Sequence, residues 1–297
     1  MRPLAKPQAM IKGKASYPFE TIALAVAFSP RLEALIAESK RFNQLFKSKV
    51  VFIHVGKRTA DKEQHLANFL GHYGFTSENS SVVWQEGDAV ETILSVCKAN
   101  VVDLLIIGAI EKENMLKYYM GSVSREISRR AKCSVLMLTE PRLNPIPFQR
   151  MVVNGHDHSK SVHTIETAIY FAGKEEIKDV IIVDEVDIPA FSMSIADDST
   201  EPEAAYFRES IIADENSKLK NLISGIDTKG IPVKVKTFSG RRGFTIGQYA
   251  QNVNADLLVV NSPDHHMNIF DRIFTHDLEY MLADLPCNML IVHSRVF

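Results

Sequence analysis

Apolar and polar positions along this chain fall into alternating strand-like and helix-like blocks. In the first half the apolar runs 21–27, 49–55, 80–84, 103–107 and 134–138 are predicted strands. They are short, rich in Val, Ile and Leu, and nearly continuous, as expected of strands buried on both faces. Between them lie helical patterns at 31–47, 61–73 and 88–99. The first carries Leu32, Leu35, Ile36, Phe42, Leu45 and Phe46 on an apolar stripe. The second half repeats the scheme, with strands predicted at 151–153, 179–183, 233–237, 256–260 and 288–292 and a helix at 204–223. Residues 192–203 are polar and acidic, and read as a loop leading into that helix. Strands alternating with helices imply an α/β fold with a parallel sheet covered on both faces.

The chain is a repeat. Asp103-Leu-Leu-Ile-Ile-Gly108 is echoed by Asp256-Leu-Leu-Val-Val-Asn261, and Lys132-Cys-Ser-Val-Leu-Met-Leu138 by Pro286-Cys-Asn-Met-Leu-Ile-Val292. The spacing is about one domain length. Between the copies, Glu140-Pro-Arg-Leu-Asn-Pro-Ile-Pro147 is punctuated by proline and reads as a linker. Two domains follow, 1–141 and 148–297. Each is expected to hold a five-stranded parallel sheet flanked by helices. In such sheets ligands bind at the carboxyl ends of the strands, so the loops after 27, 55 and 107 should share one mouth.

The stretch from Gly108 to Ser124 carries the most specific chemistry. Gly121-Ser122-Val123-Ser124 opens a short helix pattern, where free backbone N–H groups and the helix dipole suit an anion such as phosphate. The same residues also suit plain helix capping. Gly108, then nine residues from Lys112 to Met120, then Gly121-Ser122 resembles the nucleotide loop of the universal stress protein family. Glu111 stands where that pattern has a second glycine. The flanks agree: Gly87-Asp88 resembles the family's approach to its third helix, and 131–138 its fifth strand.

The resemblance covers the chain beyond a tail of about 18 residues. It implies a Rossmann-like fold of the adenine nucleotide alpha hydrolase type, in a tandem two-domain form. It also implies a cytosolic, stress-related binding or regulatory role rather than metabolism. A nucleotide site carried over from the family would involve Ala27, Phe28, Val55, Gly108, Gly121, Ser122, Val123 and Ser124. In nucleotide-binding members an aspartate occupies the position of Ala27. The carboxylate of Glu111 would repel phosphate, so ATP binding in the first half is expected to be weak or absent. In the second half Asn261-Ser-Pro-Asp264 and Phe274-Thr275 replace the glycine positions, and ATP binding there is not expected. A slow ATPase in the first domain is the enzyme alternative. The family arrangement also implies that the domains pair through their fifth strands, 134–138 and 288–292. A further homodimer is left open.

Six of the ten histidines are expected near the mouth of the second half. His156, Asp157 and His158 follow its first strand, and Asp264, His265 and His266 its fourth. Imidazole with carboxylate suits zinc or another transition metal. A metal or small-ligand sensor is therefore the third reading, against a plain polar loop.

Charge and composition then exclude other classes. A net charge of -2 offers no basic excess for nucleic acid, and Arg129-Arg130 reads as a solvated helix face. No apolar run approaches a membrane span, and no signal-peptide core is present. Cys97, Cys133 and Cys287 are an odd set, with two in predicted buried strands, and read as reduced core residues. No nucleophile elbow, Walker loop or zinc-protease helix occurs.

Overall fold

A computed structural model describes residues 17–111, 118–119, 121–156, 160–186, 201–240, 243–262 and 281–293. The first half runs β1 (Thr21–Ala25), α1 (Leu32–Phe46), β2 (Lys49–Val55), α2 (Ala60–His72), β3 (Ser80–Gln85), α3 (Ala89–Ala99) and β4 (Leu104–Gly108). A two-residue ribbon follows, β5 (Ile110–Glu111) against β6 (Tyr118–Tyr119), then α4 (Ser122–Arg130) and β7 (Ser134–Leu138). The second half runs β8 (Arg150–Asn154), α5 (Ser161–Glu175), β9 (Asp179–Val186), α6 (Glu201–Ser224), β10 (Val233–Ser239), α7 (Phe244–Asn252), β11 (Leu257–Asn261) and β12 (Asn288–Val292).

All ten long strands form one sheet, in the order β10-β9-β8-β11-β12-β7-β4-β1-β2-β3. Within each half every pairing of this sheet is parallel. At the centre β7 and β12 pair antiparallel, with Met137 opposite Met289, Leu136 opposite Leu290 and Val135 opposite Ile291. The two halves are thus related by a pseudo-twofold at this seam. Without it, two largely apolar strands would each present an open edge. The main chain is tied there too, as Thr139 N–H donates to Asn288 Oδ1 at 3.0 Å.

The repeated aspartates have a structural task. Asp103 Oδ2 accepts the N–H groups of Glu20 (2.7 Å) and Thr21 (2.9 Å), at the start of β1. Asp256 Oδ2 accepts those of Gln149 (2.8 Å) and Arg150 (2.9 Å), at the start of β8. Each carboxylate anchors the first strand of its half to the fourth.

Two apolar layers sandwich the sheet. On one face α1 and α5, from opposite halves, lie together over a cluster containing Phe19, Phe42, Phe46, Phe148 and Phe171. On the other, α3, α4 and α7 cover Val51, Leu105, Val135, Leu258 and Ile291. Three sequence expectations change in detail. The first strand ends at Ala25 rather than Ala27, because the chain turns there, with Ser29 N–H donating to Ala27 O. The polar stretch expected to stay a loop through 203 is already helical from Glu201. Pro202 falls in the first turn, where its missing N–H costs nothing. The segment after Gly108, expected as an open loop, begins and ends in the β5–β6 ribbon, with Glu111 opposite Tyr118.

Candidate functional site

Ala27, Phe28 and Val55 lie at the carboxyl ends of β1 and β2, as the parallel topology requires. Ala27 is exposed and offers no polar side chain. The half-buried ring of Phe28 meets His54 edge-on at 4.9 Å and lies nearly parallel to Trp84 at 6.1 Å. His54 is 6 % exposed, and its Nδ1 lies 3.0 Å from Val26 O. A carbonyl only accepts, so Nδ1 donates to it, and Nε2 is the ring's other nitrogen. Lys62 Nζ lies 3.5 Å from that Nε2 and 5.5 Å from the centre of the Phe28 ring. The first mouth is therefore an aromatic group capped by one ammonium. The chain leaves β2 through Gly56, whose φ of +141° a side-chain-bearing residue rarely adopts.

Gly108 ends β4. A Cβ there would stand 3.0 Å from Leu35 Cδ1, so close packing of α1 on the strand accounts for this glycine without any ligand. Arg31, the residue before α1, donates from Nη1 to Ala109 O at 2.6 Å and from Nη2 to Thr139 O. Its guanidinium thereby ties the ends of β4 and β7 together. Gly121 caps α4 in an extended conformation, and its helix start has no side-chain cap; Ser122 and Val123 are exposed beside it. Ser124 is half-buried, and its carbonyl accepts from Ser128 Oγ at 2.9 Å. At the other end of α4, Arg130 pairs with Glu91 (2.5 Å) and Glu126 (2.7 Å), so it forms no unpaired basic patch.

The second mouth has the same frame in different chemistry. Lys160 precedes α5 as Arg31 precedes α1, and donates to Ser262 O at 3.2 Å. Asn261, at the place of Gly108, donates to Ser161 Oγ at 3.2 Å. His156 directs Nδ1 at Asp184 Oδ1, 3.0 Å away, and its N–H donates to Asn154 Oδ1. Asp184 is 4 % exposed. Of the six residues expected around a metal, His156 is the one described. Asp157, His158, Asp264, His265 and His266 lie outside the described residues, as do Phe274 and Thr275. Among the described residues no group of three histidine, cysteine or acidic side chains could hold a metal.

Several residues of these mouths carried no sequence signal of their own. Glu185, buried on β9, accepts the N–H groups of Gly243 (2.7 Å) and Ile246 (2.5 Å) and so caps α7. In the first half Asp88, adjacent in sequence, caps α3 through Val90 and Glu91 N–H, both at 3.0 Å. Asp88 was legible as a cap because it is local, whereas Glu185 acts across the fold. Arg31, Lys62, Trp84 and Asp184 were missed for the same reason. The cysteines are free thiols. Burial pushes Cys287 up to about 12, and a hydrogen bond with Cys97 together with burial pushes Cys133 up as well.

Two parallel five-stranded Rossmann-like units, joined at an antiparallel seam with strand ends facing two mouths, define a tandem α/β protein. Residues 62–139 match the universal stress protein family. That match lies within the first half of the chain. It is similar in structure to a Pseudomonas aeruginosa protein assigned to the universal stress proteins, at 17 % identity and TM-score 0.66, covering 93 % of this chain and 94 % of that one. It is also similar to a universal stress protein from Archaeoglobus fulgidus, at 14 % identity and TM-score 0.64, covering 94 % and 100 %. No curated protein sequence matches the chain. Among the described residues no helix is long and apolar enough to cross a membrane.

Proposed function

We propose that the chain is a cytosolic binding or regulatory protein of the universal stress type, in which neither half is a strong ATP site. On this reading 1–141 and 148–297 are its two working domains. The observation that carries it is the first mouth. Ala27 presents no side-chain acceptor for a base, and the adjoining space is lined by Phe28, His54 and Trp84. Arg31, just before α1, is committed to two protein carbonyls. What supports residual nucleotide contact is the uncapped start of α4 at Gly121, where backbone N–H groups suit phosphate. Titration calorimetry of the full chain with magnesium and ATP tests this. Weak or absent heat is expected, Glu111→Gly should strengthen binding, and Gly121→Val should abolish what remains. Tight magnesium-dependent binding to the unmodified protein would overturn the reading and revive the slow-ATPase alternative.

The His156–Asp184 pair favours a second reading for the other half. A carboxylate holding one imidazole nitrogen is the usual support of a metal-ligating histidine. If zinc binds there, binding weakens as histidines protonate below about pH 6. If the ligand is an anion, binding strengthens over the same range. Zinc and phosphate titrations of the full chain across that range separate the two, and replacement of His156 by alanine should remove either response.

A further inference from the structure

Where α1 and α5 meet, the apolar face holds three charged side chains. Arg41 on α1 donates from Nε to Glu38 Oε2 at 3.0 Å and from Nη1 to Glu175 Oε1. Glu175 is the last residue of α5, in the other half of the chain. The side chains are 14 %, 6 % and 2 % exposed, in the order Arg41, Glu38, Glu175. The guanidinium lies over the rings of Phe42 (4.1 Å) and Phe148 (4.9 Å), and its Nη2 is buried with no hydrogen-bond partner among the described residues. Two carboxylates thus share one guanidinium in an aromatic setting, an excess of one negative charge removed from water. An unbalanced buried charge is costly, and the least expensive remedy is a proton.

The other charged groups facing the cluster do not remove the excess. Arg142, from the connecting segment, hydrogen-bonds Glu38 through its backbone and acts only weakly through its exposed side chain. Lys174 and Glu176, on either side of Glu175, are exposed and opposite in sign.

We propose that Glu38, Arg41 and Glu175 form a proton-linked clasp between the two halves, in which the carboxylate pair holds one proton when α5 is docked on α1. Burial raises the affinity of both carboxyls for a proton against the pull of Arg41, and for Glu175 the charge of Glu38 adds to it. The sign follows by linkage. A carboxyl that binds its proton more tightly folded than unfolded stabilises the folded state below the ordinary glutamate range, and that contribution is lost as pH rises through the displaced value. Alkalinisation through that displaced value should therefore loosen the α1–α5 contact.

The test is urea unfolding of the full chain between pH 5 and pH 8, for the natural protein, Glu175→Gln and Glu38→Gln. Glutamine keeps the acceptor for Arg41 while mimicking the protonated acid. At pH 8 Glu175→Gln should be several-fold more stably folded than the natural protein, and that advantage should vanish toward pH 5. Carbon NMR of selectively labelled glutamate should show one carboxyl, absent in Glu175→Gln, titrating above the ordinary range. Parallel pH curves for the three proteins, or a Glu175→Gln protein less stable at every pH, would overturn the clasp. So would a Glu175 carboxyl that titrates in the ordinary range.

Discussion

Replacing Asp103 with alanine isolates the contact that anchors the first strand of the first half. Its carboxylate is 4 % exposed and accepts two backbone N–H groups, from Glu20 at 2.7 Å and Thr21 at 2.9 Å. A hydrogen bond to a charged group contributes about 1.5–3 kcal/mol, and a buried donor left unpaired costs about 1–3 kcal/mol. The two effects overlap, so Asp103→Ala should cost about 3–5 kcal/mol. Asp103→Asn keeps one oxygen as acceptor but loses the charge, and should cost about half as much. Asp256→Ala supplies an internal comparison. It removes the same pair of bonds at the start of β8, but Asp256 is only half-buried and its loss should cost less. The assay is urea unfolding with two probes. Fluorescence of Trp84, the single tryptophan, reports on the first half, and circular dichroism reports on the whole chain. Asp103→Ala should lower the fluorescence midpoint. A loss below about 1 kcal/mol, or equal costs for Asp103→Ala and Asp103→Asn, would refute the claim that charge-assisted bonds anchor the strand.

Other outcomes follow from the same contacts. Leu290→Ala, fully buried at the middle of the seam opposite Leu136, should cost about 2–5 kcal/mol in denaturant unfolding. Glu185→Gln should accelerate amide exchange at Gly243 and Ile246 and destabilise the chain by about 1–2 kcal/mol, because α7 loses its charged cap. Cys97, Cys133 and Cys287 should resist a thiol reagent in the native protein at neutral pH and react together on unfolding, since Cys97 is buried from the reagent and burial disfavours the thiolates of Cys133 and Cys287. Early reaction of Cys287 alone would mean that its shelter opens locally.

Local pattern was enough for much of this protein. Short, mostly apolar runs such as 134–138 and 288–292 read as strands buried on both faces, and the repeated Asp-Leu-Leu motif showed that the chain is built twice. Helix starts with a capping residue in sequence, as at Asp88, were legible because the bond spans two or three residues. The glycine and serine of 121–122 marked the start of α4 as well, although no side chain caps it. The seam between the halves was implied by the family resemblance, and edge chemistry gives its physical reason, since two apolar strands without partners would present open edges.

What the linear pattern left undecided depends on contacts between residues far apart in the chain. Gly108 reads as a phosphate-loop glycine in one dimension, and in three it is the surface on which Leu35 packs. Ala27, Phe28 and Val55 were placed at a mouth by topology, but the Phe28, His54 and Trp84 rings that give that mouth its character come from three different strand ends. Glu38, Arg41 and Glu175 look in sequence like ordinary charges on helix surfaces. They become a buried cluster because the pseudo-twofold brings two helix faces together, and burial converts a solvated charge into one that must find a partner or a proton. Periodicity reports which face of an element is apolar, and only the assembled fold decides which polar residues that face carries into the interior.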